Sequence, residues 1–273
     1  MSLCISIVTA EGVVVAGDSR QTQTLGGMNR VSSESAEKVF ALTSTVLAAT
    51  AGWGFLKGQD TPNVRNIASL VEDFKPTIPA GSTVVDIASL MWAHFNTLYN
   101  NHIVAFPNAA VTAGQNALNF AVTGFDSDSR SAEMYNFLIP SENAPAAPVR
   151  TTDNPGSWWM GMVDVVSRIY NGVDFRAFNL PFVVAANAEN NNANAATQQL
   201  SGLTYVVNWH SMGLQEAIDF AVGLIQITIM VQRFAAGIVN DIGGTANVGG
   251  PIDVAVVRNG GTVEWVQRKQ LHI

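Results

Sequence analysis

The chain opens MSLCISIVTAEGVVVAGDSRQT, residues 1–22, and this segment constrains the fold more than any other. Its Val- and Ile-rich runs, 3–8 and 12–17, flank Ala10-Glu11-Gly12, which is the pattern of two strands joined by a tight turn. A β-hairpin with little polar interruption has to be buried, so later elements must supply layers around it. Two of its features exceed what burial needs. Its second residue, Ser2, is small enough for a methionine aminopeptidase to expose, and its second strand runs out into Asp18-x-Arg20, a fixed carboxylate and guanidinium.

The rest of the chain alternates strands and helices in blocks. KVFAL, 38–42, and TVLAATAG, 45–52, predict a second hairpin after a polar loop over 21–36. Apolar residues recur at helical spacing over 63–74 and 82–99, with Pro76 and Pro79 separating the two helices. Residues 119–139 predict a third hairpin, 158–170 and 214–239 two further helices, the latter with Ser211 as N-cap, and 251–267 a last hairpin turning at Asn259-Gly260-Gly261. Residues 141–156 and the Asn-rich 186–199 read as exposed loops. Strands segregated from helices in this way predict layered α+β packing rather than βαβ units.

Composition narrows the partners. At 273 residues, 48% hydrophobic, the chain can bury a substantial core. Its net charge of −7, without a Lys/Arg block, argues against nucleic acid and anionic membrane surfaces. The single cysteine, Cys4, excludes an internal disulfide framework and suits a reducing compartment. Four scattered histidines give no metal-binding spacing, so no metal or cofactor is expected. The N-terminal run lacks a basic region and is broken by Glu11 and Asp18, so it is not read as a signal peptide and a cytoplasmic protein is expected. FAVGLIQITIMV, 220–231, is too short to span a bilayer and reads as a buried helix.

Taken with AEKVFALTSTVLAATAGWG, the opening segment resembles that of proteasome β-type subunits and their bacterial relatives, a family of N-terminal nucleophile (Ntn) hydrolases. The Met-Ser-Leu-Cys start is most similar to the ancestral β-subunit, or Anbu, branch. In that family a nucleophile becomes the first residue after processing, Asp-x-Arg closes the second strand, a lysine begins the third and a glycine ends the fourth. Ser2, Asp18, Arg20, Lys38 and Gly52 hold those places. FAVTGFDSDSRSAEMYNF and GGPIDVAVVRNGGTVEWV resemble the family's middle and final hairpins, and the likeness is weakest from about 140 to 210. Where the family carries an aspartate and a serine before the last strands, TANVGGPID places Thr245 and Val248; Ser157 corresponds to a further supporting serine.

The resemblance implies a four-layer αββα sandwich formed by residues 1–273 as a single domain, and a self-compartmentalising peptide or amide hydrolase. Removal of Met1 would free the amine of Ser2, and an α-amine of ordinary pKa, about 7.7–8.0, is partly neutral near pH 7 and can serve as base. Lys38 would depress that pKa by like-charge repulsion, Asp18 would orient Lys38, and the Gly52 N–H would meet the tetrahedral oxyanion. Arg20 would support Asp18 or a nearby carbonyl, and Cys4, on the same face as Ser2 but deeper, would be a core residue. Homo-oligomers, as a ring or an open helical assembly, peptide or unfolded-protein substrates and a partner ATPase follow from the same likeness. Two other functions compete: a non-catalytic assembly subunit in which Asp18 and Lys38 merely tie strands together, and an Ntn enzyme that passes the acyl group to an amine.

Overall fold

A computed structural model describes residues 2–25, 28–58, 63–106, 117–140, 143–189, 195–235 and 246–270. The opening hairpin forms from β1 (Leu3–Val8) and β2 (Gly12–Asp18), with Cys4 opposite Gly17 and Val8 opposite Val13. All residues of both strands are buried, which is why the runs show no polar alternation. The polar segment that follows is not a loop. It forms a two-stranded ribbon, β3 (Gln21–Leu25) against β4 (Met28–Ser33), whose Gln, Thr and Ser residues carry no apolar alternation to betray it.

Next come β5 (Val39–Ala41) and β6 (Val46–Gly52), then a short ribbon of β7 (Phe55–Lys57) and β8 (Val64–Asn66). Helix α1 (Ile67–Phe74) starts later than periodicity predicts because residues 64–66 are strand; α2 spans Val84–Ala105, opened by a reciprocal cap between Thr83 and Asp86. The third hairpin is β9 (Leu118–Phe125) and β10 (Ala132–Ile139), followed by β11 (Arg150–Thr151) and β12 (Gly156–Gly161). The tryptophans at 158 and 159 thus lie in a strand paired with β1, and the expected helix over 158–170 shortens to α3 (Asp164–Tyr170). The chain continues with α4 (Pro181–Glu189), α5 (Ala195–Ser201) and α6 (Leu214–Phe234), so much of the stretch read as an Asn-rich loop is helical; residues 190–194 lie outside the described residues. The last hairpin is β13 (Ile252–Arg258) and β14 (Val263–Gln267), with Gly260 at φ +72° in its turn.

Contacts divide the chain into two units, Met1–Gly161 with Trp209–Ile273, and Met162–Asn208. The first holds two five-stranded sheets, ordered β12-β1-β2-β13-β14 and β11-β10-β9-β6-β5. Their facing surfaces share one apolar cluster, in which Cys4, Val13 and Val15 meet Leu47, Ala49 and Met134. Phe120 and Phe137 of the second sheet turn to the opposite side, where Ile87, Met91 and Phe95 of α2 cover them. Helix α6 packs on β1, β2 and β13. In the second unit Asp174 gathers Arg168 and Arg176 at 3.0 and 2.6 Å, and its carboxyl is held down to about 2, chiefly by the Arg176 hydrogen bond.

Helix α6 is 21 residues long and apolar enough by length and composition to cross a membrane, with a mean hydropathy of 1.5 over an 18-residue window. Leu214, Ala217, Ala221, Leu224 and Ile225 are buried, whereas Met230 and Phe234 are 54% and 78% exposed. Its N-cap is Gly213 rather than Ser211, and it offers no side-chain acceptor. Glu11, in the β1–β2 turn, supplies one: the Leu214 N–H donates to Glu11 Oε2 at 2.8 Å, placing a carboxylate at the positive end of the helix. Glu11→Ala is therefore expected to destabilise the protein by about 1 kcal/mol, read as a lower denaturation midpoint with an unchanged slope; an unchanged midpoint would show that the cap contributes nothing.

Candidate active site

The strand register carries Ser2, Asp18, Lys38 and Gly52 to one end of the two sheets. Ser2 immediately precedes β1, Asp18 closes β2, Lys38 immediately precedes β5 and Gly52 closes β6. Ser2, Lys38 and Gly52 border one cavity of about 580 Å³, together with Thr50 and Trp53. Asp18 stands behind that wall. Ser2 and Lys38 are buried, at 7% and 5% exposure.

Asp18 is the most heavily hydrogen-bonded group of the site. Its Oδ1 accepts from Lys38 Nζ at 2.7 Å and from the Leu3 N–H at 2.9 Å; its Oδ2 accepts from the Gly249 N–H at 2.9 Å and the Arg20 N–H at 3.2 Å. A fully buried carboxylate is costly unless paired and hydrogen-bonded, and here four donors compensate it. Lys38 Nζ also donates to the Arg20 carbonyl at 2.6 Å, so the ammonium is fixed by two acceptors.

The Arg20 guanidinium turns away from Asp18. Its Nη2 lies 2.7 Å from Glu34 Oε1, and its Nη1 donates to the Ala246 carbonyl at 3.2 Å. Arg20 thus supports Asp18 through its own backbone N–H and ties down a carbonyl with its side chain. Gly249 is packed against it: a Cβ there would stand 2.4 Å from Arg20 Cζ. The Asn247 and Val248 N–H groups both donate to Gln232 Oε1 of α6 at 2.9 Å, so α6 steadies the turn that delivers Gly249. Val248 is fully buried, and Thr245 lies outside the described residues, as does Met1.

Ser157 does not reach this end of the hairpin. It pairs with Ile7, at the far end of β1, whereas Gly161 is the residue opposite Leu3. Gly161 has φ +98°, and a Cβ on it would fall 1.8 Å from the Ser2 carbonyl oxygen; only glycine lets β12 pass this close to the Ser2 backbone. Gly52 is constrained as tightly, with φ +101° and the Ala117 carbonyl 2.1 Å from any Cβ, so its identity is demanded by the backbone whatever its N–H does.

Trp53 forms part of the cavity wall and meets His102 edge-on, with centroids 5.2 Å apart. His102 Nδ1 accepts from the Lys57 N–H at 3.0 Å, and burial lowers its pKa, consistent with the neutral ring that acceptance requires. Cys4 lies beneath the cavity, fully buried, its thiol donating to the Thr50 carbonyl at 3.3 Å. Burial pushes that thiol from 9.0 up to about 12, against a smaller opposing pull from Lys38. Cys4 is a core residue and no nucleophile at neutral pH. Among the described residues no cluster of three or more His, Cys, Asp or Glu is placed to hold a metal ion.

No protein-family model matches the sequence, and no curated protein sequence matches it. Solved structures do. The Anbu complex from Pseudomonas aeruginosa, a helical assembly, superposes with a TM-score of 0.56 at 16% identity, over 98% of this chain and 88% of that one. Anbu, the ancestral β-subunit, from Yersinia bercovieri superposes with a TM-score of 0.52 at 14% identity, over 97% and 86%. This chain therefore has a mixed helix and sheet fold of the Anbu, proteasome-like kind.

The raised Cys4 pKa has a defined sign. The thiol's contribution to stability is complete below the unfolded value of 9.0 and is lost as pH rises toward about 12, because ionisation then favours the unfolded chain. At pH 8 a disulfide reagent should leave native Cys4 untouched and titrate it fully in denaturant, and Cys4→Ala should lose less stability than the parent between pH 9 and 12. Rapid native labelling at pH 8 would contradict the burial.

Proposed function

We propose that this protein is a subunit of a proteasome-like, self-associating Ntn hydrolase of the Anbu type, cleaving peptide or amide bonds through Ser2 once Met1 has been removed. The observation that carries this reading is the convergence of Ser2, Lys38 and Gly52 on one cavity, with Lys38 held by a buried Asp18. Two sheets sharing an apolar cluster, with α1 and α2 packed on one and α6 on the other, support a four-layer αββα sandwich as the underlying architecture.

In this mechanism the freed amine of Ser2 takes the Oγ proton, through a water, as Oγ attacks the substrate carbonyl. The tetrahedral oxyanion meets the Gly52 N–H, a kind of contact whose loss costs about 10²–10³ in rate. Collapse breaks the C–N bond, the protonated base returns its proton to the leaving amine, and an ester on Ser2 remains. Water, deprotonated by the same amine, then attacks the ester and releases the acid with restoration of the Oγ proton. Lys38 adds a positive charge that favours the neutral amine and the developing anion.

Self-association is supported by the helical assembly of the Pseudomonas aeruginosa neighbour and by apolar side chains left in solvent at Met230 and Phe234 of α6 and Val104 of α2. A non-catalytic subunit is the second reading, favoured by the two bonds of Lys38 to Asp18 and the Arg20 carbonyl, which tie β2 to β5 whether or not chemistry occurs.

Intact mass and turnover of a fluorogenic peptide library separate the two. The catalytic reading expects a mass lower by one methionine, no turnover with Ser2→Ala, and a loss of about 10²-fold or more with Lys38→Met. Lys38→Met leaves Asp18 with three backbone donors but no counter-charge, so circular dichroism and assembly of the variant are checked before its rate is compared. Lys38→Arg should not restore the rate, since a planar fork does not replace a compact ammonium. Full retention of Met1 in a preparation with undiminished activity would sink the mechanism. Sedimentation at micromolar concentration tests association: a species that stays at 29.0 kDa on raising concentration would contradict it.

A further inference from the structure

Two buried lysine–aspartate pairs stand at the same cavity. The first is Lys38 with Asp18. The second lies just past β14, where Lys269 Nζ pairs with Asp253 of β13 and the Lys269 backbone N–H donates to Asp253 Oδ1 at 2.8 Å. The side chains of Lys269 and Asp253 are 7% and 2% exposed, against 6% and 0% in the first pair. In both pairs the lysine borders the cavity and the aspartate does not. In each pair the ammonium is held by a carboxylate that is not itself part of the cavity wall.

Arg268 adds a third positive group to the wall. Its Nη2 lies 2.6 Å from Glu37 Oε1, its guanidinium sits 4.4 Å over the Trp265 ring, and its side chain is 53% exposed. Glu37 is the one carboxylate among the described lining residues. The chain carries 14 Lys and Arg against 21 Asp and Glu, so a wall with Lys38, Arg268 and Lys269 beside a single acid inverts its overall balance. Fastening the segment after β14 to β13 needs only the backbone N–H on Asp253. Bringing a desolvated ammonium to the cavity is an added cost that tethering does not require.

The geometry points to Lys269 and Arg268 as the groups that bind a carboxylate on the peptide whose carbonyl is presented to Ser2. The substrate class is then acidic: a peptide with an Asp or Glu side chain, or with a free C-terminal carboxylate, next to the bond attacked. This rests on the reading of Ser2 as nucleophile and deepens it. An ammonium and a guanidinium together suit such a group, since charge-assisted bonds are about twice as strong as neutral ones and Arg can grip a carboxylate with two parallel N–H donors.

Binding to assembled Ser2→Ala protein, which cannot form the acyl ester, tests this without turnover. Four peptides blocked at the amino end by an uncharged fluorophore are titrated by anisotropy at pH 7: Ala-Ala-Glu-Ala amide, Ala-Ala-Ala-Ala with a free carboxylate, its amide, and Ala-Ala-Lys-Ala amide. A carboxylate peptide should bind about tenfold more tightly than the neutral amide, the lysine peptide should bind more weakly, and the gain in the first or the second peptide assigns the carboxylate to side chain or terminus. Arg268→Gln should shrink the ratio, as should Lys269→Met combined with Asp253→Asn, which avoids stranding a buried charge. Absence of a preference, whether all peptides bind alike or none binds, overturns the proposal, as does a preference that survives in both variants. A lost preference leaves the Ser2 chemistry standing, whereas an inactive parent protein that keeps the preference overturns only the hydrolase reading.

Discussion

The Asp18 carboxylate is the group on which the site's geometry depends. One oxygen takes Lys38 and the start of β1; the other takes Arg20 and Gly249, so four segments distant in sequence meet on one fully buried anion. Removing it would orphan three backbone N–H groups and leave the Lys38 ammonium with only the Arg20 carbonyl. Orphaned buried donors cost about 1–3 kcal/mol each, so the carboxylate is structural before it is anything else. This has a chemical consequence. A lysine fixed by a rigid acceptor needs no reorganisation when charge develops beside it, which is the condition for electrostatic catalysis.

How much of this could be read from the sequence follows from the range of each interaction. Ser2, Asp18, Lys38 and Gly52 were legible through the resemblance to proteasome β-type subunits, whose strand-end positions they hold, and the structure sets them at the ends of β1, β2, β5 and β6. Gly249, Gln232, Gly161 and Glu11 were not legible, because their partners lie far away in sequence: Gly249 on Asp18, Gln232 on Asn247 and Val248, Gly161 against Ser2, Glu11 on Leu214. The one available signal was the glycines themselves. Gly161 ends a Trp-Trp-Met run and Gly249 precedes a second glycine, places where a backbone must pass something closely.

Secondary-structure misreadings have the same origin. Residues 156–161 take strand form as the edge neighbour of β1, against an apolar run that period alone does not distinguish from a helix. The strands Gln21–Leu25 and Met28–Ser33 are mostly polar, and their Leu25, Met28 and Val31 do not alternate, so no pattern marked them, yet Gln21 and Ser33 line the cavity and make the ribbon part of the site's wall. The polar residues by which this element lines the cavity are the ones that erase the pattern by which strands are recognised.

Helix α6 joins the site to the surface in a way that local sequence does not show. Its first turn is capped by Glu11 of the opening hairpin, its middle is buried on β1 and β2, and Gln232 near its end holds the turn that sends the Gly249 N–H to Asp18. Met230 and Phe234, which flank Gln232, are the most exposed of the large apolar residues described in this helix. The chain of contacts from Phe234 to Lys38 thus runs through one helix turn, one side-chain amide and one carboxylate. A partner surface covering this end of α6 would bury the same turn that carries Gln232, so the order of the 246–250 segment and the order of the apolar helix end depend on a single element. Contiguity of this kind does not by itself measure coupling. It does identify Gln232 as the shared part, because its carbonyl oxygen is the acceptor for both amides that precede Gly249.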